Sequence, residues 1–310
     1  MKLDNRFLTI LFFALLGIFV FKKFIDKPKL RSFREVLVEL DTSQVTKIVL
    51  NKPASEAIVL LRKADKWLVK SGDREYEAMK ASVDPILRTI SFVKASQIVS
   101  RSEDKWSEFE LDETAGRKIE VYNGDKLKDA FWIGRFDFDQ NRRTAKTYVR
   151  KADEADVYAV EGFLSMTFDK KVEDFRNKSL FENVSTGEVK SLSLQKEGEA
   201  SLTFEKTLDG EWMAEQALID STAIVEYLGR LMNSQGAQFI EGLVPEKSDL
   251  LSSLIVELND GHKSEVKIYR GETTEKFVVN STDNPDAFFL TDSTALYKTL
   301  ITDLRALSKL

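Results

Sequence analysis

The sequence predicts an α+β protein: two tandem repeats of a mostly antiparallel sheet with packed helices, preceded by one transmembrane helix. Three observations predict it. A charge-free apolar run stands near the N-terminus, short alternating strands recur in the same order in both halves, and an Asn-Gly or Asp-Gly turn falls at the same place in each half. The expected organisation is a membrane anchor with a basic collar over residues 1–31, a first repeat over 32–178 and a second over 179–310.

The anchor is the run Phe7–Phe21, FLTILFFALLGIFVF. At about 1.5 Å per residue it reaches ~22 Å, and continued through Ile25 it reaches ~28 Å, close to a ~30 Å hydrocarbon core. Lys22 and Lys23 can snorkel out of that extension. A cleaved leader would want small residues after the apolar run, whereas KKFIDKPKLR is bulky and basic. Residues 1–34 carry eight Lys/Arg against Asp4 and Asp26, which leaves the remainder acidic, with 38 basic and 49 acidic residues. An acidic body argues against general nucleic-acid binding. The basic cluster beyond the apolar run reads as a collar for lipid headgroups or as a flexible basic linker. Six basic residues follow the run and two precede it, so charge alone would leave the body in the cytoplasm.

Each half then repeats one series of elements. VTKIVL (45–50) and EAIVLLRKADKWLV (56–69) match VKSLSL (189–194) and ASLTFEKTLDGEWMA (200–214). Both read as short alternating strands, the last carrying Trp67 or Trp212 as a core anchor. Helices follow from Ser82 and Asp220, with Pro85 expected in a first turn, where proline is tolerated. Ile86, Leu87, Ile90 and Val93 match Ile224, Val225, Leu228 and Leu231 and predict one apolar stripe. Strands QIV (97–99) and QFI (238–240) come next. The hairpins IEVYNGDKLKDAFWIGR (119–135) and VELNDGHKSEVKIYR (256–270) turn at Asn123-Gly124 and Asp260-Gly261. TYVR and VYAV match KFVV and AFFL, and helices over 162–168 and 291–307 close the halves. The boundary is expected near the charged stretch VEDFRNKSLF (172–181).

The body resembles the bacterial domain-of-unknown-function family 4340, on SFREVLVELDTSQVTKIVL (32–50), Asp65–Trp67, IVSRSEDKWSEFELD (98–112) and TYVRKADEADVYAVEGFLSMTFDKKVEDFRNKSL (147–180). The resemblance implies a membrane-anchored domain beside the auxiliary component of gliding-motility-type ABC transporters. It assigns no catalytic residue. It also implies a body outside the cytoplasmic membrane, hence a single-pass inner-membrane protein with a periplasmic body, against the charge rule.

The residues that carry chemistry are sparse. There is no Cys and a single His, His262, which removes thiol catalysis, disulfides and Cys/His zinc sites. Asp137-Phe138-Asp139 opens like a calcium loop, but Arg142 and Tyr148 stand where Gly and Glu are required. No phosphate-binding, metalloprotease or nucleophile-elbow motif is present, so no cofactor, metal or nucleotide is expected on this chain and catalytic residues are none. The first half carries an excess, FDFDQNRRTA, after its hairpin. Either it is a partner-binding loop offering Trp132, Phe136, Phe138, Arg142 and Arg143, or it is a wide hairpin whose Phe side chains pack back on the sheet. The expected function is a non-enzymatic membrane-tethered scaffold or accessory subunit of an ABC-type export system, with transporter subunits as protein partners. An envelope glycan- or lipid-binding module and a paired-carboxylate hydrolase are the alternatives.

Overall fold

A computed structural model describes residues 33–308, apart from positions 183, 216, 243–244 and 247–248. The expected anchor lies outside the described residues, and among these no helix is long and apolar enough to cross a membrane. The chain is α+β, with two mostly antiparallel sheets and few helices. It divides into two compact units. One takes the residues up to Val59 with Asp84–Lys170, the other Leu60–Val83 with Lys171–Leu310.

The first elements along the chain are β1 (Val36–Glu39), β2 (Lys47–Asn51), β3 (Ile58–Lys63), β4 (Lys66–Ser71), β5 (Arg74–Glu77) and helix α1 (Lys80–Ser91). They are followed by β6 (Phe92–Ser100), β7 (Arg117–Asn123), β8 (Lys126–Asp139), β9 (Thr144–Lys151), β10 (Val157–Glu161) and the short helices α2 (Leu164–Phe168) and α3 (Val172–Phe175). In the first unit the strand order is β1-β6-β10-β9-β8-β7-β2, antiparallel throughout. Period-two alternation builds it: β2 buries Ile48 and Leu50, and β7 buries Ile119 and Val121. Gly124 supplies the positive φ that the two-residue turn between β7 and β8 requires. Phe131 of β8 meets Phe168 of α2 edge-on at 6.3 Å, which fixes the closing helix on the sheet.

The second unit holds β4 and β5, paired antiparallel, and α3, whose Phe175 is fully buried. Backbone bonds join them: Met79 N donates to Phe175 O at 2.7 Å, and Asn177 N donates to Glu77 O at 2.7 Å. Further along come β11 (Val189–Lys196), β12 (Leu202–Lys206), β13 (Trp212–Ala214), β14 (Ala217–Ile219) and α4 (Ser221–Met232). Then follow β15 (Gln238–Phe239), β16 (Leu250–Leu258), β17 (Lys263–Arg270), β18 (Lys276–Ser281) and β19 (Asn284–Asp292). A π-helical stretch, Lys298–Asp303, runs into α5 (Leu304–Leu307). Strands β11 to β19 form a 9-stranded sheet in the order β14-β13-β12-β11-β16-β17-β18-β19-β15. Its core includes Phe204, Trp212, Tyr227, Leu228, Phe289 and Leu304. Asp220 caps α4 by accepting from Thr222 N at 2.8 Å.

The same strand order occurs twice. The run β15-β19-β18-β17-β16-β11 follows β6-β10-β9-β8-β7-β2 element for element, and the pair β13-β14 follows β4-β5. Trp67 and Trp212 occupy corresponding strands and are both buried, at 7% and 2% exposure. Asn123-Gly124 and Asp260-Gly261 occupy corresponding hairpins.

Four details depart from the sequence reading. Helix α1 begins at Lys80, so Pro85 stands in its second turn and removes a backbone donor there. Val93 is buried from strand β6 rather than from the helix, and Val225 is half-exposed, so the stripe on α4 is Ile224, Leu228 and Leu231 with Tyr227. The helix expected from residue 291 yields its start to β19, because the alternation of AFFLTD continues the strand. The charged-looking stretch 172–181 buries Phe175, Arg176, Leu180 and Phe181.

Candidate interaction surface on the long hairpin

The excess in the first half is mostly strand. β8 runs 14 residues to Asp139, and Phe136, Phe138 and Asp139 pair with Thr147, Ala145 and Thr144 of β9. Only residues 140–143 turn. Asp139 Oδ1 accepts from the backbone of Asn141 at 2.9 Å and of Arg142 at 3.1 Å, a side-chain-closed turn. Arg143 takes a left-handed φ of 53°. Arg142 is exposed, its Nε 3.8 Å from Asp139 Oδ2.

Phe136 and Phe138, two residues apart, share one strand face. They are 42% and 50% exposed, so they do not pack back into the core. Phe163 joins them at 43% exposure, edge-on to Phe136 with centroids 5.2 Å apart and stacked on Phe138 at 6.0 Å. Met166 of α2 is also exposed. The corner carrying Phe163 is pinned by the fully buried Thr147. Its hydroxyl donates to Gly162 O at 2.7 Å and accepts from Leu164 N at 3.0 Å. Gly162 has φ +99°, a backbone state that favours glycine. Three aromatic rings thus sit at the surface, two on the stretch of β8 that pairs with β9 and the third on the corner that Thr147 pins.

Trp132 is not part of this strip. It is half-buried, and the Arg150 guanidinium lies 4.5 Å over its ring and 3.7 Å over the ring of Trp106. Arg150 is 3% exposed and donates from Nε to Leu111 O at 2.8 Å. Burial pulls its pKa down to about 10. Trp106 Nε1 donates to Ala155 O at 3.0 Å. This stack fastens the segment 101–112 to the sheet. Between Ile133 and Phe136, a step that includes Gly134, the β8–β9 register shifts. A Cβ on Gly134 would meet Phe109 O at 2.0 Å, so only glycine lets segment 109–110 lie against β8. The shift also separates the tryptophan from the phenylalanine strip.

Beside Phe136 and Met166 lies a small pocket of about 180 Å³, also bordered by Glu110, Arg117, Gly134, Arg135, Ser165 and Asp169. Asp169 accepts from Lys52 Nζ at 2.8 Å, which is the main reason its carboxyl stays below the usual range. Sequence reasoning missed Phe163, Met166 and this pocket. GFLSM looked like a closing helix, and nothing local in it says that Gly162 turns Phe163 outward.

Other polar clusters are structural. In the second unit Arg176, buried, lies 3.8 Å over Tyr76 and 3.7 Å over Phe239 and binds Glu241. Among the described residues no group of His, Cys, Asp or Glu is placed to hold a metal. His262 is exposed, its backbone N bonded to Asp260 Oδ1 at 2.9 Å within the hairpin turn. A family profile described as Domain of unknown function (DUF4340) matches residues 67–250, a span that contains the strip and its pocket. No curated protein and no solved structure matches the chain.

Proposed function

The chain belongs to the family described as Domain of unknown function (DUF4340), and from that premise we propose that it is a membrane-tethered, non-enzymatic scaffold or accessory subunit of an ABC-type export system in the cell envelope. In this reading residues 1–31 form a transmembrane anchor with a basic collar, and 32–178 and 179–310 are tandem copies of one fold facing the periplasm. The observation that carries the reading is the strip Phe136, Phe138 and Phe163. Grouped exposed aromatics on and beside a hairpin cost solubility and mark contact surfaces, and aromatic and Arg side chains are enriched where interfaces concentrate their binding energy. Arg142 and Arg143 at the hairpin tip supply the charged rim. Absence of Cys, the lone exposed His262 and the failed nucleotide and nucleophile motifs support contact rather than chemistry as the working mode.

The test is a photo-crosslinking residue at Phe138 in native membranes, with mass spectrometry of what is captured. Transporter subunits are the expected products. Replacing Phe136, Phe138, Arg142 and Arg143 together with Ala should cut co-purification about tenfold, the loss of ~1.4 kcal/mol of interface energy. Undiminished capture by that variant would discard the strip. Loss of function in His262→Ala with normal folding would point back to catalysis.

A further inference from the structure

We propose that the pocket bordered by Arg117, Ser165 and Asp169 in the first unit binds a single neutral saccharide ring. Three of its side chains have unspent hydrogen-bonding capacity. Arg117, on β7, has as its guanidinium's only polar contact among the described residues Nη2 to Asp169 Oδ1, at 3.8 Å. Ser165 is 6% exposed, yet its Oγ has no hydrogen-bond partner among the described residues. Buried hydroxyls are ordinarily satisfied, so one that is not calls for a ligand or water. Glu110 sits at φ 55°, a left-handed state that non-glycine residues adopt at a cost, and its carboxylate is exposed. Arg135, by contrast, is already committed to Glu108 O at 3.0 Å and to Asp137.

Charge and size narrow the ligand class. Lys52 and Arg117 lie at Asp169, Arg135 is paired with Asp137, and Glu110 offsets the remaining positive charge, so the pocket selects neither an anion nor a cation. What it offers is donors and acceptors at close spacing, from a guanidinium, a hydroxyl and carboxylate oxygens, with Phe136 and Met166 as apolar walls. A ring that carries hydroxyls around its rim and C–H groups on its faces meets both demands. At about 180 Å³ the pocket is smaller than the about 300–1,000 Å³ of a drug-sized site, so it suits one ring rather than an extended ligand. The inference does not depend on the proposed transporter partner.

The test uses the full chain in lipid nanodiscs, which avoids glycoside detergents, and reads saturation transfer by NMR to added sugars. Glucose and N-acetylglucosamine are the neutral probes, and glucuronate supplies the same ring with a carboxylate. Saturation of ring C–H protons is expected for at least one neutral sugar. Arg117→Gln and Ser165→Ala should each weaken it about tenfold, as loss of a ligand hydrogen bond does, with the thermal unfolding curve of each variant reporting its fold. Phe138→Ala, outside the pocket, should leave sugar binding intact while lowering partner capture, so the two proposals fail separately. The proposal is overturned by absence of transfer from both neutral sugars, by equal transfer in the Arg117→Gln/Ser165→Ala double variant, or by preference for glucuronate over both.

Discussion

Arg150 shows how much a single side chain can hold in place. Its guanidinium is buried between two indoles and bonded to the carbonyl of Leu111. Replacement by Ala removes two desolvated cation–π contacts and orphans that carbonyl, at a cost of about 2–4 kcal/mol. Thermal unfolding should show the loss, and Trp106 emission should shift to the red as its ring meets water. The residue was not legible from sequence, because TYVR reads as a strand and its Arg as a solvent-facing charge. The partners Trp106 and Trp132 come from 44 and 18 residues upstream, beyond the range of any local pattern. Glu241 makes a second residue-scale case. The bond from Arg176 is the main reason its carboxyl is held below the usual range, with Tyr76 and Arg74 also contributing. A carboxyl with a lowered folded pKa adds stability above its unfolded range and loses it as pH falls through the folded value. Glu241→Gln should therefore flatten the acid limb of stability against pH. Urea unfolding series at pH 3 to 7 would measure it, and an unchanged slope would refute the assignment.

At the level of elements, alternation and turn chemistry carried most of the information. The Asn123-Gly124 and Asp260-Gly261 hairpins and the two tryptophan strands were readable, and so were the two apolar helix faces except at Val93 and Val225. Strands β1, β5 and β14 were not, being short and poor in apolar contrast. The FDFD stretch was read either as a binding loop or as a wide hairpin with its Phe side chains packed back, even though its own period of two marks a strand whose Phe face is exposed. Asp is rare in strands, but Asp137 is matched here by Arg135 and by the hydroxyl of Tyr148 at 2.5 Å, so the strand can keep it. Trp67 and Trp212 allow a paired prediction. Each is nearly enclosed, and Trp→Ala at either should cost roughly 3–5 kcal/mol through lost burial and a cavity. Denaturant midpoints would report it. A change within about 0.5 kcal/mol at one of them, the usual range for surface substitutions, would show that its environment is not a core.

For the molecule as a whole, the repeated strand order ties the two sheets to a common plan that was visible as recurring motifs. The proposed periplasmic sidedness follows the family resemblance against the basic flank. An alkaline phosphatase fused after residue 310 should be active if the body is periplasmic. An inactive fusion beside an active cytoplasmic reporter would instead follow the six-to-two basic asymmetry. Chemical extraction at high pH should leave the chain in the membrane if residues 7–25 span it.

Strand β1 also has a mechanical meaning. It is the first element among the described residues, it is four residues long, and within its sheet it has β6 as its single neighbour. Any tug on the N-terminus enters the body there. A load from the N-terminal side peels β1 off β6 one ladder rung at a time and must drag Leu37 and Val38 out of the core. Once they yield, the chain from residue 36 to β2 can straighten to a contour of roughly 35–40 Å, at ~3.3–3.6 Å per residue. Under a pull from the N-terminal side β1 is a breakaway link, the edge rung whose loss costs the sheet one neighbour.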